Sequence, residues 1–377
     1  MKKLSILTTP AIALGVGILC APQALAAGYT LNQTNLGAAA ATPDTHHEGI
    51  FCGDGMDFCV LDEGDWTQEG NIDMSTVEIS GTPVQGLVLQ NNVNISNPDG
   101  GTFKGNINIT DADEVTLNNL NVTGITTIDN ADAEVTINGG TYNNPEMMGA
   151  LNVNKAKSVT INGGDFKTSD PNGASAMYVG VYDFTNNTFT NGGNITITDG
   201  TFTSEFDHGI EFNKFDSLNI SGGTFLGGDA GIIFMEAPAA GKVSLSGGTF
   251  KGTGADGKAI SIIDTGNAAA ISGMLAAGYH FSNDSIVAEP GLGGSTYIAG
   301  TTSVVSDSAS EEETAGEEAE TEAATAAETT SGIGSPDTGA YTAEEGSANN
   351  SSILAIMSTV LVALTGAILV KKHSKRA

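Results

Sequence analysis

Arginine is almost absent from this chain of 377 residues: the single copy is Arg376, next to the C-terminus. Between Ala27 and Thr338 there are 8 Lys against 42 acidic residues, and the whole chain carries a formal charge of −30. So acidic a body repels phosphate backbones and excludes nucleic acid as a partner. Sulfated and uronic-acid glycans are disfavoured on the same ground. Cysteine and tryptophan are also scarce, at three and one. The chain has neither the tandem Cys/His spacings of zinc sites nor the serine or cysteine signatures of hydrolases. Proline is low at 10 while glycine reaches 50, so the glycine is not collagenous and must serve turns.

The bases that do occur mark the two ends. Lys2 and Lys3, an apolar stretch from Ala11 to Leu19, and Ala24-Leu25-Ala26 read as a secretory signal over residues 1–26. Near the other end, Ile353–Val370 is apolar enough for a transmembrane helix, and the basic tail 371–377 fixes that end in the cytoplasm. Upstream lies Ser335-Pro336-Asp337-Thr338-Gly339. Pentapeptide, short spacer, span and basic tail together resemble the LPxTG-like cell-wall sorting signal of Gram-positive surface proteins, with Ser335 where the usual motif has Leu. The resemblance implies that a sortase attacks the Thr338–Gly339 carbonyl and passes the chain to peptidoglycan, so that the membrane span serves only before sorting. Without sorting, the same segment is a single-pass membrane anchor. Residues 301–350, rich in Ser, Thr, Ala and Glu, form an acidic stalk too hydrophilic and self-repelling to fold.

A repeat fills the middle. Val135-Thr136-Ile137-Asn138-Gly139-Gly140-Thr141-Tyr142 recurs with small changes, and the seven copies start at 93, 115, 135, 159, 195, 218 and 243. The Val-Thr-Ile-Asn alternation has period two, so Val and Ile face inward and Thr and Asn outward. Gly-Gly turns the chain, and the following Tyr or Phe returns to the interior. A second phrase, a small residue followed by a short apolar strand, precedes several copies, as at Gly86-Leu87-Val88-Leu89 and Gly209-Ile210-Glu211-Phe212. One repeat cannot bury its apolar face alone, whereas stacked copies can. The expected fold is all-β: a right-handed parallel β-helix (solenoid) of about eight coils over residues 76–300. It resembles the pectin-lyase-like superfamily. Residues 27–75 are read as an N-terminal cap, in which Cys52 and Cys59 would form a disulfide in a secreted chain.

That superfamily includes lyases, hydrolases and non-catalytic adhesins, so the fold does not choose among them. An Arg base of the lyase kind is excluded by composition. Clustered carboxylates at Glu205, Asp207, Glu211 and Asp216, with His208, are the best enzymatic candidates. Asp207 and Glu211 would act with Lys214 as base if the chain were an enzyme. Asp207-His208-Gly209 resembles the His-Gly element of polygalacturonases, whose paired Asp-Asp and Arg-x-Lys elements are missing. The plainer reading makes these residues polar groups at a coil corner, with Glu211 pointing outward between Ile210 and Phe212. No metal site or cofactor is implied: His46, His47 and Glu48 diverge as neighbours, and the one calcium-repeat-like segment, 252–256, lacks a tandem copy.

The outward positions form two polar columns. One is Asn94, Thr116, Thr136, Thr160, Thr196, Asn219 and Ser244; the other is Ser96, Asn118, Asn138, Asn162, Thr198, Ser221 and Ser246. They either stabilise the coils or offer a flat face to a neutral glycan or a host surface protein. Tyr178, Tyr182 and Phe184, in the longest repeat step, are the best aromatic platform. The sequence therefore favours a secreted, cell-wall-anchored adhesin or structural module, with a polysaccharide lyase or glycoside hydrolase as the alternative.

Overall fold

In the computed structural model, the described residues are 28–310, apart from Met147, 264–267 and 290–293. The secretory signal, most of the stalk, the sorting motif and the apolar segment 353–370 lie outside them. Contacts divide the chain into one unit ending at Asp307 and a second, Ser308–Ala377, almost wholly outside the described residues.

The first unit is all-β, with two long sheets and two helices, Gln33–Ala41 and Ala269–Ser272. The chain alternates between the sheets. The recurring phrase lies in one of them, and each copy pairs in parallel with the copies before and after it. Val93–Ser96, Glu114–Thr123, Glu134–Asn144 and Ser158–Thr168 are consecutive neighbours. The short apolar phrase builds the second sheet, where Gly86–Gln90, Asn106–Asp111, Thr126–Asp129, Leu151–Lys155, Met177–Val179, His208–Phe212 and Ala230–Phe234 pair in parallel in that order.

The register puts like residue on like. Val93, Val115, Val135, Val159, Ile195, Leu218 and Val243 are successive partners, and every one is buried. A one-residue slip would turn all of them to solvent, so the alternation itself fixes the pairing. The aromatic that follows the glycines does the same. Tyr142, Phe166, Phe202, Phe225 and Phe250 form a continuous stack with ring centroids 4.8, 4.8, 5.2 and 4.9 Å apart, all fully buried.

The two glycines do different work. In the copy at 135 the first needs a left-handed backbone, which Asn tolerates, whereas in the copies at 218 and 243 a Cβ on Gly222 or Gly247 would lie 2.2 or 2.0 Å from a carbonyl oxygen. Asn119, at φ 54°, stands where the next copy has Gly139, at φ 78°. The second glycine of that copy is crowded: a Cβ on Gly140 would lie 2.0 Å from the Leu120 carbonyl oxygen, although the preceding copy holds Leu120 itself at this register position.

The stack extends beyond the expected limits at both ends. Within the region read as a cap, Phe58–Leu61 and Gly64–Gln68 already pair in parallel with the first repeat strands. They lack the Asn-Gly-Gly turn, although Trp66 and Gln68 alternate inward like the later copies. Ahead of them, the helix Gln33–Ala41 buries Leu36, Ala39 and Ala40, and its N-terminus is capped by Asn32, which accepts from the Asn35 amide at 2.8 Å. Cys52 and Cys59 are joined by a disulfide between the antiparallel strands Ile50–Cys52 and Phe58–Leu61. At the far end, the first six residues assigned to the stalk are a strand. Thr301–Ser306 pairs antiparallel with Thr249–Gly252 and Tyr279–Phe281, turning Thr302 and Val304 inward. Its Ser/Thr-rich composition hides this period-two pattern.

Candidate functional site

Two of the acidic candidates meet at one strand of the second sheet, His208–Phe212: Glu211 lies on it and Asp207 immediately precedes it. Ile210 and Phe212 point into the core, while Glu211 takes the outward position between Tyr178 of the preceding strand and Ile233 of the following one. The corner before the strand is fixed by Ser204, whose Oγ accepts from the Asp207 amide at 2.9 Å and donates to the Ala174 carbonyl at 2.7 Å.

His208 is the hub. Its Nδ1 lies 2.9 Å from Asp207 Oδ1, 3.7 Å from Glu211 Oε2 and 3.2 Å from Ser175 Oγ, and its Nε2 lies 3.3 Å from Asp229 Oδ2. Lys258 reaches Asp229 Oδ1 at 3.1 Å, and Asn213 donates to Glu211 Oε1 at 2.9 Å. The imidazole side chain is only 10% exposed. Burial pulls its pKa down, but the neighbouring carboxylates of Asp207, Asp229 and Glu211 more than reverse this and raise it to about 11. The hydrogen bond from His208, aided by Lys258, holds Asp229 down at about 2 against the opposing effect of burial. Burial pushes the Tyr178 phenol up, and Glu211 and Asp207 add to the shift; its oxygen accepts from the Ser175 amide at 3.0 Å.

This arrangement limits the chemistry. An imidazolium with so high a pKa carries its proton throughout the neutral range and is not a general base. Ser175, His208 and Asp229 line up as hydroxyl, imidazole and carboxylate, but Ser175 is fully buried and its hydroxyl also contacts Asp207 at 3.1 Å, so no substrate reaches it. One ligand atom each from Asp207, His208 and Glu211 falls within 4.8 Å of the others, a spacing that suits a small divalent ion. Filling it would require His208 to give up its proton.

Several residues expected together are separated. Glu205 and Asp216 are exposed and make no contact with His208. Lys214 follows the far end of the strand, where its Nζ is 3.5 Å from the Phe189 carbonyl. The cation beside the carboxylates is Lys258, two strands along: its register partner is Ala230, whose own partner is His208. Ser175, Asp229 and Lys258 escaped the sequence reading. A legible signal existed for Asp229, because Asp229-Ala230-Gly231-Ile232 repeats the form of Asp207-His208-Gly209-Ile210. Near the N-terminus, His46 pairs with Asp62 at 3.1 Å, while Glu48 accepts from Asn35, so His46 and Glu48 diverge.

The first polar column stands in register, while in the second a register shift pairs Asn138 with Gly163 and not with Asn162. Thr136, Thr160 and Thr196 are direct partners. Beside them an amide ladder runs one way: Asn162 donates to Asn138 at 2.8 Å, Asn138 to Asn118 at 2.9 Å, Asn118 to Asn94 at 2.8 Å, and Asn94 to the Asp65 carboxylate at 2.9 Å. Each amide satisfies its neighbour, which gives the ladder a stabilising role. The aromatic platform is split. Tyr178 lies beside the carboxylates, whereas Tyr182 joins Phe184 and Phe189 on a separate hairpin.

No protein-family model, curated protein or solved structure matches this chain.

Proposed function

We propose that this chain is a cell-wall-anchored surface protein whose body, a right-handed parallel β-helix of about eight coils in the pectin-lyase-like manner, binds a glycan or host surface without catalysis. One observation carries the non-catalytic part: Asp207, Glu211 and Asp229 all converge on the His208 imidazolium. Acid–base cleavage of a glycosidic bond needs one carboxyl group protonated and another free to act as base or nucleophile. Here a single buried cation engages all three carboxylates, which is the arrangement of a structural network spanning adjacent coils. The alternation of the chain between two parallel sheets supports the β-helix. The lyase or hydrolase reading keeps one supporting observation, the gathering of Asp207 and Glu211 around His208, with one ligand atom of each within 4.8 Å of the others.

The wall address comes from Ser335-Pro336-Asp337-Thr338-Gly339, the apolar segment 353–370 and the basic tail. Fractionation of Gram-positive cells expressing the full chain tests it. The expected result is release by muralytic digestion for the wild type and retention in the membrane fraction for Thr338→Ala. Recovery of the wild type in the membrane with its C-terminus intact would overturn wall anchoring.

A further inference from the structure

Successive repeat copies are 20 to 25 residues apart except between 159 and 195, where the step is 36. Within that extra length Tyr182–Asp183 pairs with Thr188–Phe189 in a hairpin that joins neither long sheet. Closing a coil does not require it, since the repeats from Val93 onward with steps of 20 to 25 residues close without one; the other hairpin outside the long sheets, Glu78–Ile79 with Thr82–Pro83, precedes them.

The hairpin is pre-set by its own hydrogen bonds. Asp183 Oδ1 accepts from the Thr185 and Asn186 amides at 2.8 and 3.2 Å, and the Tyr182 hydroxyl donates to Asn187. At its root Thr190 Oγ1 accepts from the Val181 amide and donates to the Val181 carbonyl. Three rings gather there, with Phe184 and Phe189 edge-on to Tyr182 at 4.9 and 5.3 Å. Phe184 is 43% exposed, whereas the rings of the Tyr142–Phe250 stack are fully buried. Asn213 ties the hairpin to the central cluster, donating to the Gly180 carbonyl and to Glu211, both at 2.9 Å.

We infer that the 181–190 hairpin is a carbohydrate-recognition element, stacking the apolar face of a neutral pyranose on Phe184 while exposed Asn186 and Asn187 meet its hydroxyls. The inference rests on the glycan-binding reading above and gives it a place and a ligand class. An exposed ring in a loop that is already ordered binds with little further entropy loss. A sugar's C–H face suits the ring face, and amides suit hydroxyls. Asp183 on the hairpin itself, in so acidic a chain, selects against uronic-acid and sulfated sugars. One half-exposed ring offers far less than the roughly 800 Å² per partner of a stable protein interface, which favours a sugar over a protein.

The test is calorimetric titration of the full chain with cellohexaose, chitohexaose, laminarihexaose and hexagalacturonate. The expected result is binding of at least one neutral hexasaccharide and none of hexagalacturonate. Phe184→Ala weakens that binding at least tenfold without changing the thermal midpoint, and Phe184→Trp retains it. Neutral-glycan binding that Phe184→Ala leaves unchanged overturns the hairpin assignment but not the glycan-binding reading. Failure of the wild type to bind any of the three neutral probes overturns both, and tighter binding of hexagalacturonate overturns the ligand class.

Discussion

Replacing His208 with Gln removes the one positive charge on which Asp207, Glu211 and Asp229 converge. The side chain is 10% exposed, so water cannot substitute for it. Deleting one member of a buried charge network costs about 3–5 kcal/mol. The pH dependence has a definite sign. The native pKa of His208, about 11, lies above its unfolded value of 6.5, so its contribution is complete below pH 6.5 and is lost as pH rises through 11. The loss is at most about 1.4 kcal/mol for each pH unit. Asp229 acts in the other direction. Its native pKa of about 2 lies below the unfolded 3.8, so its contribution is complete above pH 3.8 and lost as pH falls through 2. Urea denaturation followed by circular dichroism, at about pH 6 and about pH 10, reads the effect. The wild-type midpoint should fall between the two, while His208→Gln should begin lower and change much less. A variant with the wild-type midpoint at the lower pH, or a wild type insensitive to the change, would refute the reasoning.

Five further substitutions probe the stacked strands, each read from the denaturation midpoint. The Tyr142 hydroxyl is buried with no hydrogen-bond partner, so Tyr142→Phe should stabilise the protein by about 1 kcal/mol; a destabilised variant would show that the oxygen has a partner. Gly140→Ala drives a Cβ into the Leu120 carbonyl and should cost about 3 kcal/mol or more, whereas Asn119→Gly should change stability by less than about 1 kcal/mol; equal effects would mean the two positions are not distinguished by backbone crowding. Asn138→Ala interrupts the amide ladder on both sides and should cost about 1 kcal/mol, more than Thr136→Ala in the adjacent column; the reverse order would place the stabilising ladder in the wrong column.

The sheets were legible because identical residues stack on identical residues. Val-Thr-Ile-Asn carries its inward and outward faces in its alternation, and Gly-Gly marks where the left-handed backbone falls in the copies at 135 and 159, although the strands there continue through it. Gly64–Gln68 and Thr301–Ser306 were not legible as stacked strands, since neither carries the turn glycines and their period-two patterns are only two inward residues long. The cluster was half legible. Asp207, His208 and Glu211 are adjacent in sequence, but Ser175, Asp229 and Lys258 reach them from neighbouring coils, and only the register of the second sheet brings them together. Lys214 is near Glu211 in sequence and yet outside its network, because the strand ends at Phe212 and the chain turns toward Phe189. Local spacing therefore identified His208 and two of its acids but not Asp229 or Lys258.

The most direct test of a non-catalytic body is chain length. The full chain would be incubated with neutral and acidic polysaccharides, with and without calcium, beside Asp207→Asn and Glu211→Gln variants, and the polysaccharides measured by mass spectrometry. The account predicts chains of unchanged length in every case. Chains shortened by the wild type and left intact by either variant would contradict it and make Asp207 and Glu211 catalytic.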